Sequence, residues 1–405
     1  MGKVIRKNYL KTLQTLHEQN LIKVVTGVRR CGKSTLLLQF QELLKAETDD
    51  NQVISINFDI PEYRFLAEKS WLEVYEFIEA ALVSGKINYV FLDEIQNVVE
   101  FEKLLEGLFV HPEVDLYVTG SNACLLSSEL ATLLTGRAFE INVLPFSFAE
   151  YLEFTGMNDN IPRAFAEFVA TGGFPEAVRL AAAGTTYAYQ YLQNVFHNIY
   201  ENDILTRYRV NSEHSYYKVV NFLTDTVGSP VSAGSIAKTM KNNNLRIDNK
   251  TVSSYIETLT AAYLFYRANR YDVKGKEHLS TQEKYYLVDT GLRNALLGKD
   301  LAADSGHLLE NVVYLELIRR DNQVWTGKVN NLEVDFVARN KVGYTTYYQV
   351  SQTVQDPATL ARELAPFDKI PDHNERILLT MDYETNSRNG VKQMNVTDWL
   401  LATKN

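Results

Sequence analysis

The segment VVTGVRRCGKSTLLLQF, residues 24–40, constrains the fold of this chain more than any other. Gly27, Gly32, Lys33 and Ser34 fit the phosphate-loop pattern of a glycine, four free positions, a second glycine, a lysine and a hydroxyl residue. An apolar run precedes the pattern and a strongly apolar helical run follows it, which is the context in which such loops bind phosphate. The sequence therefore predicts a nucleotide-binding α/β domain. The alternative is a glycine-rich turn that matches the pattern by chance.

The phosphate loop also predicts its ligands. Glycines allow consecutive backbone N–H groups to turn towards phosphate oxygens, and the N-terminus of the following helix adds partial positive charge. We expect Lys33 to reach the β- and γ-phosphates of ATP and Ser34 to hold Mg²⁺. The residues predicted to contact the nucleotide are Gly27, Val28, Arg29, Arg30, Cys31, Gly32, Lys33, Ser34 and Thr35.

Two adjacent carboxylates end the predicted strand in INYVFLDEIQ. Asp93 and Glu94 fall at the carboxyl end of this strand, where ligands gather in open α/β sheets. We expect Asp93 to support Mg²⁺ and Glu94 to orient and polarise an attacking water. Because a small-molecule kinase needs no water-activating glutamate, the pair favours ATP hydrolysis over phosphoryl transfer to a metabolite. A solvent-exposed strand end would also accommodate two carboxylates.

Two further polar positions are weaker candidates for catalysis. The strand VDLYVTGSNA ends in Ser121 and Asn122, and Asn122 could sense the γ-phosphate, position the water or cap a turn. Arg137, in LLTGRAFE, could stabilise transition-state charge on nucleotide bound to the same or a neighbouring subunit. A surface or ion-pair role fits a lone arginine equally well.

Length and composition limit the class of protein. A chain of 405 residues is expected to form two or three domains. Its 41 Lys and Arg against 50 Asp and Glu exclude a surface that coats nucleic acid throughout, so any such contact must be local. Cys31 and Cys124 are too few for a disulfide framework. No stretch approaches a membrane span, so we expect a cytoplasmic protein without membrane contact.

The sequence changes character along the chain. Residues 21–145 alternate the apolar runs LIKVVTG, VISINFD, INYVFLDE and VDLYVTGS with helical patterns, which predicts a parallel sheet with helices on both faces. Helical patterns then dominate, followed by a strand–turn–strand signal and a mixed remainder. The predicted domains are a P-loop ATPase core at 1–145, a helical lid at 146–205, a winged helix at 206–290 and a C-terminal α/β domain at 291–405.

The motif order GVRRCGKST, FLDEIQ, TGSNA, TGR, INVLPFSFAEYL and GGFPEAV resembles the AAA-type ATPases of bacteria and archaea that carry a C-terminal domain of unknown function. The resemblance covers nearly the whole chain. It implies an AAA-superfamily core related to the STAND branch, with Lys33 and Ser34 in the phosphate loop and Asp93 and Glu94 as the Mg²⁺ and hydrolysis pair. It also implies that Pro175, in GGFPEAV, packs near the adenine, although a glycine–proline turn fits a structural role too.

Residues 231–278 have the order of a winged helix. SIAKTMK would be a short helix, NNNLRID a turn and NKTVSSYIETLTAAYLFY the recognition helix. The segment holds eight Lys or Arg and four Asp or Glu, a local balance of +4 in a chain of −9. A dimerisation or lid role is the alternative to binding duplex DNA. The candidate DNA contacts are Lys250, Thr251 and Ser254 on the helix and Arg267, Arg270, Lys274 and Lys276 on the wing.

The same resemblance implies a restriction-endonuclease-like fold for the C-terminal domain, which includes LEVDFVARNKVGYTTYYQVSQ at 332–352. Such nucleases use a helix glutamate, a strand aspartate and a Glu-x-Lys group. Glu310 and Asp335 match the first two, whereas Gln349 and Ser351 stand at the third. Because a neutral amide is a poor metal ligand and a serine carries no cation, we expect a degenerate domain. Glu333 is then expected to be a surface residue.

Three hypotheses for function follow. The first is an ATP-driven switch whose nucleotide state controls how the winged-helix and C-terminal domains engage DNA or a protein. The second is an ATP-dependent nuclease, which Gln349 and Ser351 disfavour. The third is an assembly ATPase that acts on a protein partner without nucleic acid, which the overall acidity allows. The AAA resemblance adds the expectation of a homo-oligomer in the ATP state.

Overall fold

The computed structural model describes residues 2, 4–121, 136–275, 277–298, 305–385 and 387–402. For residues 277–281 it describes the backbone only. The chain forms two compact units. The first unit comprises Lys3–Val143 together with Ala261–Tyr263. The second unit comprises Leu144–Thr260 and Leu264–Asn405, together with Met1–Gly2.

A five-stranded parallel sheet in the order β2-β3-β4-β1-β5 forms the centre of the first unit. The strands are β1 (Ile22–Thr26), β2 (Val53–Asn57), β3 (Asn88–Asp93), β4 (Val114–Thr119) and β5 (Ala138–Asn142). The helices are α1 (Lys7–Leu16), α2 (Lys33–Lys45), α3 (Pro61–Ala67), α4 (Trp71–Glu79) and α5 (Phe101–Phe109), with short 3₁₀ turns at Asp50–Gln52 and Ile95–Asn97.

The strands of this sheet differ in burial and in sequence pattern. Every residue of β1 and β3 is buried, as expected for parallel strands that helices cover on both faces. The four predicted strands are confirmed, and with them the P-loop α/β fold class. The fifth strand, β5, was not predicted. Like β2 it lies at a sheet edge with one of its five residues buried, but its sequence AFEIN has a single β-branched residue against the three of VISIN in β2.

Since all five strands are parallel, their carboxyl ends meet at one edge of the sheet. The phosphate loop follows β1, and Asp93 ends β3. The strand β4 lies between these two, so the ends of three neighbouring strands converge where ligands bind in such sheets. The topology therefore brings the two strongest motifs of the sequence to one place.

The second unit begins with helices. They are α6 (Phe148–Thr155), α7 (Ile161–Thr171), α8 (Pro175–Ala181), α9 (Thr185–Ile199) with a π-helical extension at Tyr200–Leu205, α10 (Glu213–Asp225), α11 (Ala233–Asn242) and α12 (Asn249–Ala261). Further along the chain lie α13 (Thr290–Leu297), α14 (Ser305–Arg319), a 3₁₀ turn at Phe367–Lys369, α15 (Pro357–Leu364) and α16 (Val396–Leu401). None of the described helices combines the length and apolarity needed to cross a bilayer.

A seven-stranded mixed sheet in the order β12-β11-β10-β9-β8-β6-β7 completes the second unit. Its strands are β6 (Phe265–Asp272), β7 (Glu277–Leu287), β8 (Gln323–Val329), β9 (Leu332–Arg339), β10 (Thr345–Ser351), β11 (Glu375–Thr380) and β12 (Val391–Asn395). The predicted wing is the antiparallel pair of β6 and β7, and β6 also pairs with β8. A domain division at residue 290 therefore separates strands that belong to one sheet, and the predicted domain boundaries stay predictions.

The break between α7 and α8 has a packing reason. A Cβ atom on Gly172 would lie 2.1 Å from Asp289 Oδ1, so only glycine fits there. The N–H of Gly173 donates to Asp289 Oδ2 at 2.6 Å, and Asp289 also caps α13 by accepting from the N–H of Leu292 at 2.8 Å. The GGFP element therefore has a structural role within the second unit.

Candidate nucleotide site

The two glycines of the phosphate loop are required by its backbone. Gly27 has a φ of +135°, and a Cβ atom there would lie 2.2 Å from the carbonyl oxygen of Val143. Gly32 has a φ of +104° and directly precedes α2. Arg30 also adopts a left-handed conformation, with a φ of +70°. These conformations form the tight turn that lets successive backbone N–H groups face a bound anion.

Lys33 opens α2 and turns back over the loop. Its buried amine donates to the carbonyl oxygens of Gly27 at 2.8 Å and Val28 at 3.2 Å. Ser34 and Thr35 follow in the first turn and are exposed, and no side chain caps this helix. The first N–H groups of a helix have no partner within it, so an uncapped first turn suits phosphate oxygens.

Asp93 lies at the carboxyl end of β3 within a set of neutral donors. Asn57, at the end of β2, donates to its Oδ2 at 2.8 Å, and Thr119, at the end of β4, donates to its Oδ1. Burial raises the pKa of Asp93, while hydrogen bonds from Thr119 and Ser34 oppose that rise. The structure thus brings Ser34 and Asp93, the two predicted Mg²⁺ ligands, into contact.

Glu94 follows Asp93 in an uncommon conformation. Its φ is +55°, in the left-handed region that non-glycine residues seldom adopt. Its N–H donates to Thr119 Oγ1 at 3.0 Å, and the side-chain amide of Gln96 donates to its Oε2. The carboxylate is buried. Such a conformation is kept only where the surroundings fix it, which is common at functional sites.

Asn57 and Thr119 are site residues that the sequence reasoning missed. Both are polar and stand at the carboxyl ends of β2 and β4, next to the strand that carries Asp93. Asn57 also accepts from the N–H of Asp59 at 2.8 Å, and Asp59 pairs with Arg29 of the phosphate loop at 3.5 Å. The missed signal was that VISINFD and VDLYVTGS, like INYVFLDE, each end in a polar residue.

The remaining loop residues divide into buried and accessible ones. Val28 and Cys31 are fully buried, and burial raises the pKa of the Cys31 thiol. Arg29 is partly buried by its pair with Asp59, whereas Arg30 is exposed. Val28 and Cys31 therefore offer only backbone groups to a ligand, whereas the side chains of Arg30, Ser34 and Thr35 are exposed.

The base of the loop rests on a second network in the first unit. Thr26, directly before Gly27, donates to Glu140 Oε1 at 2.7 Å and accepts from the side-chain amide of Asn142 at 3.3 Å. The hydroxyl of Tyr263 donates to the same oxygen of Glu140 at 3.2 Å. This network fixes the strand end from which the loop departs.

Three further predicted site residues are Arg137, Pro175 and Asn122. Arg137 precedes β5 at the amino end of the sheet, opposite the phosphate loop, and its guanidinium lies 5.7 Å from the ring centroid of Phe109. A role in the same subunit therefore does not fit this geometry, while a role on a neighbouring subunit stays a prediction. Pro175 opens α8 in the second unit, and its adenine contact also stays a prediction. Asn122 lies outside the described residues.

Comparison with known proteins identifies the family. Residues 19–152 match the AAA domain family, and residues 162–302 match a domain of unknown function. An uncharacterized protein of Haemophilus influenzae is 36% identical over 404 residues, which cover 98% of each chain. The chain belongs to an AAA-type ATPase family. An uncharacterized protein of Methanocaldococcus jannaschii is also similar to this AAA-type protein, with 30% identity over 90% of this chain and 83% of the relative.

Solved structures were compared as well. The Walker-type ATPase of Pyrococcus abyssi has a TM-score of 0.46 and 16% identity, over 72% of this AAA-type protein and 95% of that chain. The ORC1 protein of Aeropyrum pernix in complex with DNA has a TM-score of 0.33 and 17% identity, over 75% of this chain and 95% of that one.

A second cluster of charged side chains lies in the second unit of the AAA-type protein. Lys284, on β7, is buried, and its amine lies 2.5 Å from Glu333 Oε1 and 3.5 Å from Glu310 Oε2. Burial by itself lowers the pKa of Lys284. The negative charges of Glu310, Asp335 and Glu333 outweigh this effect and raise the pKa of Lys284 above its usual value. We call these four residues the carboxylate cluster. Glu333 is thus an ion-pair partner rather than an unengaged surface residue.

The carboxylate cluster includes both acids that resemble nuclease ligands. Asp335 Oδ2 accepts from the N–H of Val350 at 2.8 Å, and the N–H of Asp335 donates to Gln349 Oε1 at 3.2 Å. The amide of Gln349 donates in turn to the buried Glu363 at 3.1 Å. Burial and the neighbouring Glu310 raise the pKa of Asp335 well above its ordinary range. Sequence reasoning found neither Lys284 nor Glu363, because both lie outside the nuclease motif to which the C-terminal domain was compared.

The candidate DNA contacts differ in how far they are already engaged. Lys250, Ser254 and Lys274 are exposed. Arg267 pairs with Glu257 at 2.5 Å and with Glu283 at 3.5 Å, so it would have to exchange these partners for phosphate. Thr251 is partly buried, and the side chain of Arg270 donates to Gln282 at 3.3 Å. Lys276 lies outside the described residues.

Proposed function

We propose that this AAA-type protein binds ATP with Mg²⁺ and hydrolyses it to ADP and phosphate. The observation that carries the proposal is the setting of Asp93. It is a buried carboxylate at a strand end, held by Thr119 and Asn57 and in contact with Ser34 of the phosphate loop. A buried acid held by neutral donors, beside an uncapped helix start that begins with Lys33, suits a metal–phosphate ligand.

Each residue of the site has a role in this proposal. The loop N–H groups and Lys33 would bind the phosphates. Ser34 and Asp93 would hold Mg²⁺, which when bound neutralises phosphate charge. Glu94 would orient the attacking water and accept its proton, because it is buried and fixed by Gln96 and Thr119. Hydrolysis rather than phosphoryl transfer follows from this second carboxylate.

The Mg²⁺ dependence of phosphate release tests the proposal. We expect the full-length protein to release phosphate from ATP only with Mg²⁺, and Ser34→Ala to raise the half-maximal Mg²⁺ concentration by about 10-fold, because one ligand is lost. Ser84→Ala, an exposed serine in a loop of the same unit, is the matched control. Wild-type protein that releases no phosphate at any Mg²⁺ concentration would refute the proposal.

We further propose that the nucleotide state controls engagement of duplex DNA through residues 231–278. The exposed basic residues Lys250 and Lys274 support this, as does the local excess of positive charge in an acidic chain. The test measures binding of labelled duplex DNA, and mass by light scattering, with ADP and with a slowly hydrolysed ATP analogue. Binding and a homo-oligomer specific to the ATP analogue are expected. Absence of DNA binding in both states would leave an ATPase that acts on a protein partner.

The nuclease alternative is weaker. A lysine already pairs with Glu310 and Glu333, and a neutral amide stands beside Asp335. The carboxylate cluster therefore satisfies its own charges to a large extent. DNA cleavage with Mg²⁺ or Mn²⁺ that Asp335→Ala abolishes would establish the alternative.

A further inference from the structure

The segment before α1 is fastened to the helix of the phosphate loop. Gln39, on the buried face of α2, donates to the carbonyl oxygen of Val4 at 2.7 Å and accepts from the N–H of Arg6 at 3.4 Å. Both bonds involve backbone groups of the segment, so they fix its path irrespective of its side chains. Residues 4–6 precede the part of the chain that matches the AAA domain family, which begins at residue 19.

This fastening places the side chain of Arg6 against the phosphate loop. Arg6 is only 3% exposed, and its Nη1 donates to the carbonyl oxygen of Cys31 at 3.3 Å. Its guanidinium lies 4.8 Å from the ring centroid of Tyr9. A Cβ atom on Gly32 would lie 3.7 Å from the same nitrogen, so the cation is close to the residue that starts α2. Burying a guanidinium is unfavourable unless nearby groups compensate for lost water.

The bond to Cys31 acts on the part of the loop that binds phosphate. When the N–H groups of such a loop turn towards an anion, the carbonyl groups turn away and need donors of their own. Arg6 is the donor for the carbonyl of Cys31, immediately before Gly32 and Lys33. It also places a second buried cation beside the buried Lys33, in addition to Arg29 and Arg30 of the loop itself, and the charges of Lys33 and Arg6 both act on the Cys31 thiol.

We infer that Arg6 is a positioning residue of the nucleotide site, acting through the Cys31 carbonyl and through its charge. The inference rests on the proposed ATP binding and deepens it. Because Arg6 contacts the loop through the backbone carbonyl of Cys31, it stabilises bound phosphate equally in the ground state and in the transition state. A residue with this role changes KM and nucleotide affinity and leaves kcat nearly unchanged.

The test compares four variants of the full-length protein with wild type, using a fluorescent ATP analogue for affinity and phosphate release for kcat and KM. We expect Arg6→Ala to raise Kd and KM by about 10- to 100-fold, the range for a lost hydrogen bond to a charged group, with kcat within about 3-fold. Arg6→Lys restores part of the affinity. Arg6→Gln separates the two contributions, because it can still donate but carries no charge. Lys7→Ala, an exposed neighbour, is the control and keeps wild-type values.

Two results would overturn the inference while wild type binds ATP. One is unchanged Kd and KM in Arg6→Ala, and the other is a fall in kcat at constant KM. If Arg6→Ala does not fold, as judged by circular dichroism, Arg6→Lys and Arg6→Gln decide in the same way, since each must bind ATP more weakly than wild type. A wild type that binds no nucleotide would overturn both the inference and the proposed function, so the two failures are distinguishable.

Discussion

The phosphate-loop site and the carboxylate cluster each combine a buried lysine with buried acids, but they arrange the charges differently. In the first unit, Lys33 bonds to the neutral carbonyl oxygens of its loop, and Asp93 is held by the neutral donors Asn57 and Thr119. In the second unit, Lys284 pairs directly with Glu310 and Glu333.

This difference separates a site that can bind a charged ligand from one that satisfies itself. A cation and an acid that are each held by neutral groups can exchange those contacts for phosphate or a metal ion. The buried Lys284 would first have to give up its pairing with the largely buried Glu310 and the partly exposed Glu333, which is costly for a lysine that water does not reach. The comparison therefore supports the proposal that the first unit hydrolyses ATP and that the charged cluster of the second unit contributes to stability.

The largest effect is expected from Lys33→Ala. Loss of the cation should lower ATP hydrolysis by about 1,000-fold, since a preorganised charge at the phosphates is removed, as measured by phosphate release. Lys45→Ala, an exposed lysine at the end of the same helix, should behave as wild type. If Lys33→Ala hydrolyses ATP at the wild-type rate, the proposal that the phosphate-loop site hydrolyses ATP is wrong.

Glu94→Gln should separate binding from chemistry. We expect hydrolysis to fall by about 100- to 1,000-fold because the general base is lost, while affinity for ATP stays within about 3-fold. Single-turnover hydrolysis and nucleotide titration measure the two quantities. Glu100→Gln, an exposed glutamate with a similar φ of +54°, is the matched control. A parallel loss of affinity would show that Glu94 serves the fold of the site instead.

Lys284→Met should act on stability rather than on nucleotide chemistry. Removing the lysine takes away the cation that Glu310, Glu333 and Asp335 share, which should lower the free energy of unfolding by about 3 kcal/mol. Urea denaturation measures the change, and ATP affinity should remain that of wild type. Lys274→Met, an exposed lysine of the same unit, should change stability by less than about 0.5 kcal/mol. Unchanged stability in Lys284→Met would contradict the claim that Lys284 stabilises the carboxylate cluster.

The pH dependence of stability should report on Asp335. The pKa of Asp335 in the folded protein is raised well above its ordinary value of 3.8, so the native state binds the proton more strongly than the unfolded chain does. Stability should therefore fall as pH rises from about 4 towards the folded pKa. Asp335→Asn cannot ionise, so we expect a shallower fall and a gain of about 1 kcal/mol at pH 7.5, measured by urea denaturation.

Asp368→Asn, an exposed aspartate, is the control for this prediction and should keep the wild-type slope. If Asp335→Asn is instead less stable at pH 7.5, and Mn²⁺ raises the melting temperature of wild type but not of the variant, the cluster is a metal site. That result would revive the nuclease alternative.

The last prediction concerns DNA. If the second unit makes contacts rather than performing chemistry, Arg270→Glu with Lys274→Glu should weaken duplex binding by about 10-fold and lower its salt dependence, since two phosphate contacts are lost. Fluorescence anisotropy at several salt concentrations measures both. Lys392→Glu, an exposed lysine elsewhere in the unit, is the control. Equal affinity of the double variant and wild type would remove the DNA proposal.

Prediction from sequence succeeded best where the signal lies in consecutive residues. The phosphate loop and four of the five strands of the first sheet were recognised because each is a continuous run with its own apolar or glycine pattern. The edge strand β5 was missed because its sequence AFEIN lacks that pattern, whereas the other edge strand, β2, buries equally few residues and was recognised from VISIN.

Residues contributed by separate strands were harder to find. Asn57 and Thr119 each look like an ordinary strand-end polar residue, and only the pairing of β2, β3 and β4 brings them to Asp93. Arg6 lies in a segment without any motif, and its contact with Cys31 depends on the path that Gln39 fixes.

The sequence alone determined where the candidate nucleotide site lies, between β1 and α2, because the loop pattern requires glycine at positions with positive φ and a lysine at the helix start. Only the tertiary structure decided what the acids of the second unit do. Lys284 lies on β7, far from β9 along the sequence, and a side chain's electrostatic partners are set by distance in space. The same two acids, Glu310 and Asp335, therefore suggested metal chemistry in the sequence and form part of a buried ion-pair cluster in the fold.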